Sequence, residues 1–154
     1  MTNICNFGLV PPTFVYLNTP VTNVTGNGTV YVLKFDTTLY GSGYSSATGL
    51  YTVTVPGLYL IATSFMLTNV SGGSNGNLCT INSTLLSTRL SEYSLINSID
   101  SSLRFCTCGM STLKLAAGNT FNINVQVNNG SSASTGIGGG NSPYVSWMYI
   151  KYLG

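Results

Sequence analysis

Side-chain catalysis needs a base, or a nucleophile within reach of one, and this sequence offers little of either. It contains no histidine and three carboxylates, Asp36, Glu92 and Asp100. Ser–His and Cys–His pairs and imidazole metal sites are therefore excluded. Three carboxylates far apart in sequence leave little scope for the paired-acid chemistry of glycoside hydrolysis. The expectation is a protein that is not an enzyme, with no metal and no other cofactor. Four cysteines remain as reactive groups: Cys5, Cys79, Cys106 and Cys108. Four thiols admit three complete pairings, and the sequence does not choose among them. Cys106-Thr107-Cys108 suggests a metal or redox pair. On a strand, however, positions i and i+2 share a face with Cα atoms about 6.5–7 Å apart, too far for an easy disulfide. A zinc site there would need both remaining cysteines. The favoured expectation is one buried thiol and one partner for Cys79. The run GIGGG at residues 136–140 has the composition of a phosphate cradle, but such loops open onto a helix and this one opens onto a strand pattern.

Charge narrows the field further. Of 154 residues only 5% are charged, and the net charge is +2 with no basic cluster. Nucleic-acid binding through phosphate neutralisation is excluded on that ground, and so are acidic calcium cages. Hydrophobic content of 44% excludes disorder. The longest mainly apolar stretch, residues 59–67, is about half the length of a spanning helix, so membrane insertion is not expected. The first residues lack the basic and apolar regions of a secretory signal. The expected location is extracellular, or a cell, spore or virion surface, reached after signal removal or by lysis, spore release or virion assembly. Five N-x-S/T sequons, at Asn23, Asn27, Asn69, Asn82 and Asn129, are no more than a chain this rich in Ser, Thr and Asn produces by chance.

The elements that must position these groups are short strands between Gly- and Asn-rich turns. Residues 51–55 and 121–127 alternate apolar with polar, with Asn and Gln outward in the second. Residues 30–35, 78–81 and 103–115 are further strand candidates. Residues 58–67 and 144–153 are apolar on both parities, as in strands covered on both faces. In a one-domain sandwich the second cover is another subunit. Residues 85–100 carry Leu86, Leu90 and Tyr93 at helical spacing, although strand-plus-loop suits the surroundings better. Residues 130–141 read as an exposed, flexible loop.

TGLYTVTVPGLYLI (48–61) resembles the signature strand-turn-strand of the complement component 1q globular head, within the tumour-necrosis-factor-like superfamily. KFDTTLY (34–40), GNLC (76–79), GMSTLKLAAGNTFNINV (109–125) and GIGGGNSPYVSWMYI (136–150) follow in the order of that family. The resemblance covers residues 14–154 and is closest in type to bacterial or viral surface fibres. It implies an all-β, ten-stranded jelly-roll sandwich that assembles as a tight homotrimer. First and last strands would lie together at the base, with the turn before the last strand at the apex. Tyr59, Ile61, Phe65, Trp147 and Tyr149 are the candidate trimer-core residues. The clustered carboxylates with which some members bind calcium have no counterpart here, and neither does the collagen stalk.

Residues 1–13 form a separate, extended N-terminal tail ahead of the 14–154 domain. Its connector candidates are Cys5, Phe7, Leu9, Pro11 and Pro12, with Phe14 at the junction. The two prolines hold an extended path, and thirteen extended residues reach about 43 Å. The tail either folds back on its own trimer or docks into a neighbouring one, where Cys5 could lock the joint. The function expected is a structural, self-assembling subunit of a surface fibre. Its partners would be itself, as homotrimer and head-to-tail polymer, and an anchoring surface protein. The alternative is a head binding a host receptor or glycan through apical Tyr40, Tyr44, Asn141 and Tyr144.

Overall fold

The stretch read as apolar on both parities becomes the longest strand and the hub of the first sheet. The computed structural model describes residues 10–70, 77–83, 87–93, 104–128, 134–140 and 144–154, with backbone only for 77–83 and 87–93. Cys5, Phe7, Leu9 and Asn141 lie outside the described residues. The strands are β1 (Thr13–Tyr16), β2 (Val21–Thr25), β3 (Asn27–Leu33), β4 (Thr37–Tyr40), β5 (Tyr44–Ser45), β6 (Leu50–Thr52), β7 (Gly57–Thr68), β8 (Asn77–Ser83), β9 (Ser87–Tyr93), β10 (Phe105–Leu115), β11 (Thr120–Asn128), β12 (Thr135–Ile137) and β13 (Trp147–Tyr152). No helix occurs among the described residues. The expected jelly-roll sandwich is what forms, its strands broken into these segments.

The first sheet runs β2-β12-β7-β13-β1-β4, with β10 on the remaining edge of β7. Along that edge β7 is paired throughout, from Phe105↔Leu67 to Leu115↔Gly57. Its other edge pairs with β13 from Trp147↔Ser64 to Tyr152↔Tyr59, then with β12 at Gly136↔Thr68. The second sheet runs β5-β6-β11-β8-β9, with β3 meeting the end of β11. Between the sheets lie Tyr59, Ile61, Phe65 and Leu67 of β7 and Phe121, Ile123, Val125 and Val127 of β11, all buried. Burying each such side chain stabilises the fold by about 1.5–3 kcal/mol relative to exposure.

That packing corrects part of the trimer-core expectation. Tyr59, Ile61 and Phe65 fill the protomer's own core, because odd-numbered residues of β7 point between the sheets. Even-numbered residues face outward instead. Asn124 is a second correction. The pattern put it outside, yet it is buried with its Oδ1 lacking a hydrogen-bond partner.

Within the ambiguous 85–100 stretch, residues 87–93 form a strand. The supposed flexible loop at 130–141 contains β12, whose three residues are buried. After it, Gly138 N–H bonds Met66 O and Gly140 N–H bonds Leu17 O. The buried Ser146 hydroxyl donates to Gly138 O at 2.6 Å and accepts from Met66 N–H. The chain passes so close to residues 18–20 that a Cβ on Gly139 would lie 2.7 Å from Pro20 N and 2.8 Å from Thr19 C. Glycine is what allows this approach.

Both ends of the domain meet at one end of the sandwich. β1 pairs with β13 from Thr13↔Ile150 to Tyr16↔Trp147, and Leu58 N–H bonds Gly154 O at 2.6 Å. The glycine-rich run 138–140 lies at the opposite end, against Leu17 and Met66.

Candidate functional site

The outward parity of the first sheet forms one continuous surface. On β7 it carries Leu58, Leu60, Ala62, Ser64 and Met66, half-buried apart from the exposed Leu58. On β10 it carries Cys106, Cys108, Met110, Thr112 and Lys114, all exposed. On β13 it carries half-buried Trp147 and Tyr149. Register sets these side chains in rows across the sheet, because directly paired residues share a face. One row reads Met110, Ala62, Tyr149, Phe14, Tyr40. The next reads Cys108, Ser64, Trp147, Tyr16. Met110, 67% exposed, and Tyr40, 45% exposed, mark its open flanks.

An aromatic cluster occupies the β1–β4 side of this face. The Phe14 ring stacks on Tyr40 and on Trp147 with centroids 5.8 Å apart in each case. Tyr144 meets Phe14 edge-on at 5.4 Å and Tyr16 at 4.7 Å. Such offset and edge-on pairs are each worth about 0.5–1.5 kcal/mol beyond burial. Phe14, expected as part of a connector, is thus the centre of the cluster. Pro11 is exposed and Pro12 half-buried just before it.

The residues expected to bind a sugar are divided by the structure. Tyr40 and Tyr144 flank the same phenylalanine. Tyr44 is turned away: its ring packs on Phe35, and its hydroxyl accepts from Phe35 N–H. Burial pushes that phenol up to about 12, and its hydrogen bond and ring contact tie it to Phe35.

Cys106 and Cys108 overturn the expected thiol arrangement. Both are free and exposed on the outer face of the first sheet. Cys79 belongs to β8 of the other sheet, opposite Val125 in register, so the sandwich separates it from them. Among the described residues, no three of His, Cys, Asp and Glu gather as a metal site.

Asp36 matches the family-like F-D turn and has a visible structural task. Its carboxylate accepts Asn18 N–H at 2.7 Å, Thr19 N–H at 2.8 Å and the Thr37 hydroxyl at 3.1 Å. Partial burial alone would raise its pKa, but these hydrogen bonds outweigh it and hold the carboxyl below its usual value. At the opposite end a groove of about 420 Å³ is lined by Pro56, Gly57, Lys114, Leu115, Ala116 and Asn119. Among the described residues that line it, Lys114 is the one ionisable side chain.

Sequence reasoning missed Leu60, Ala62, Ser64, Met66 and Met110 as members of the outward surface. The signal was the even parity of 58–66, whose direction needed the pairing partners of β7.

No protein-family profile matches the chain, and neither does any curated protein. Solved structures do. The globular domain of zebrafish complement 1qA superposes with a TM-score of 0.61 at 18% identity, covering 94% of this chain and 98% of that one. Murine APRIL at pH 5.0 superposes with a TM-score of 0.60 at 12% identity, covering 92% and 98%. The likeness extends over nearly the whole of each chain and is a likeness of fold.

Proposed function

Taking the complement-1q/TNF-like sandwich as premise, we propose that the protein is a structural subunit that assembles with itself. Three copies pack through the outer face of the first sheet. The trimers then stack head to tail, through residues 1–13, into an extracellular fibre or appendage of a spore, phage or virus. An anchoring surface protein would hold the first trimer.

The observation that carries this reading is the outer face itself. Leu58, Leu60, Ala62, Met110, Trp147, Tyr149 and the Phe14 cluster make it apolar, and no strand among the described residues packs over it. Stable interfaces bury about 800 Å² per partner, and a sheet face is of that order. Few charges lie there, chiefly Lys114 and Lys151 near the base, so association costs little ion desolvation. β1 begins at the base, with Thr13 opposite Ile150, which supports a connector that enters the domain there, at the end away from the glycine-rich run.

Light scattering of the purified chain should give a trimer or its multiples, with filaments in electron micrographs. Removing residues 1–12 should leave soluble trimers and no filaments. A monomer would sink the assembly reading, and filaments surviving the deletion would sink the connector.

A further inference from the structure

Cys106 and Cys108 are consecutive outward positions of β10, free and exposed. Pairing with Met66 and Ser64 of β7 fixes both positions within a ladder that continues along the whole strand. Their Cα atoms are therefore held about 6.5–7 Å apart. A disulfide draws its sulfurs to about 2.05 Å, and this separation lies at or beyond the edge of what it tolerates. Two metal–sulfur bonds of about 2.3 Å each need the sulfurs only about 4.6 Å apart, which side-chain rotation reaches while the ladder stays intact. The spacing that disfavours oxidation of the pair thus suits a bridging ion. The donors are two thiols with a thioether, Met110, at the next outward position, and no carboxylate shares the stripe. Such donors disfavour calcium and magnesium, and two thiolates complete a two-coordinate shell but not the four-ligand shell of structural zinc. Among the described residues, β10 pairs on one edge only, with β7, and the stripe is open to solvent.

We propose that Cys106 and Cys108 form a two-coordinate thiolate site for a soft monovalent d¹⁰ cation, copper(I). On binding, each thiol releases a proton to solvent and each sulfur gives one lone pair to the metal. Copper stays in the +1 state, no electron is transferred and no bond breaks other than the two S–H bonds. The site rests on the thiol geometry of one protomer and does not depend on the assembly proposed above, although it shares that face.

The reduced full-length chain is titrated anaerobically with copper(I) against a chromogenic copper(I) chelator, with light-scattering mass recorded on the same samples. One chelator-resistant copper per chain is expected. It should be lost in the double variant Cys106→Ser/Cys108→Ser and retained in Cys5→Ser/Cys79→Ser. Circular dichroism of the first variant should be unchanged, since both side chains are exposed. A parent chain that retains no copper, or a Cys106→Ser/Cys108→Ser chain that retains as much as the parent, overturns the site. The scattering mass tests the assembly reading separately.

Discussion

The Tyr44 hydroxyl accepts the backbone N–H of Phe35 at 2.7 Å, and the two rings lie 6.1 Å apart. Burial disfavours the phenolate, and the nearby negative charge of Asp36 disfavours it further, so the phenol titrates at about 12 despite the stabilising N–H. A folded pKa above the unfolded value of 10 means the contribution is fully present below pH 10 and is lost as pH rises toward 12. That interval corresponds to at most ~3 kcal/mol. Urea melts from pH 9 to 12 should show falling stability. Tyr31, Tyr51 and Tyr59 are raised by burial too, so Tyr44→Phe should flatten the fall only in part. At neutral pH the same variant should cost about 1 kcal/mol for the lost hydrogen bond.

Asp36→Asn keeps one acceptor for the Asn18 and Thr19 amides but removes the charge. A loss of about 1 kcal/mol is expected at pH 7, kept small by solvent screening. The carboxylate's contribution is present above its ordinary pKa of 3.8 and lost as pH falls through its lower folded value. Denaturation curves of parent and variant should therefore converge in strong acid. Curves that stay equally separated would show that the charge plays no part.

Ala62 sits between Met110 and Tyr149 in its row. Ala62→Arg places a charge in the middle of the apolar face. The variant should keep its β-type circular dichroism while its scattering mass falls to that of the monomer. An unchanged mass would locate the protomer contacts elsewhere.

Gly139→Ala should destabilise the fold by about 1–3 kcal/mol, because its methyl group would press on the backbone of residues 19–20. For a chain of this size the melting temperature should drop by about 3–10 °C. A smaller drop would mean that the glycine run shifts freely.

Strand identity was legible because it is written locally. Residues 121–127 alternate as a half-buried strand does, 58–67 are apolar on both parities as a doubly covered strand is, and the motif order carried the fold class. The direction of each parity was not. A single strand shows two faces, and which one points between the sheets depends on partners distant in sequence, such as Ile150 opposite Ile61. That is why Tyr59, Ile61 and Phe65 were expected outside. The same limit applies to Tyr44, whose burial is set by Phe35, and to Cys106 and Cys108, whose exposure is set by the register of β10 on β7. The GIGGG run was misread because its glycines serve close approach and not exposure.

The position of β13 has a consequence for how the chain folds. It lies between β1 and β7, with hydrogen-bonded partners on both edges. The first sheet therefore stays split during synthesis until residues 147–152 leave the ribosome. Until then the facing edges of β1 and β7 are open to pairing with other nascent chains. Loop closures of this length fold slowly, so temperature and crowding during synthesis should decide the yield of native protein more than the stability of the finished sandwich does.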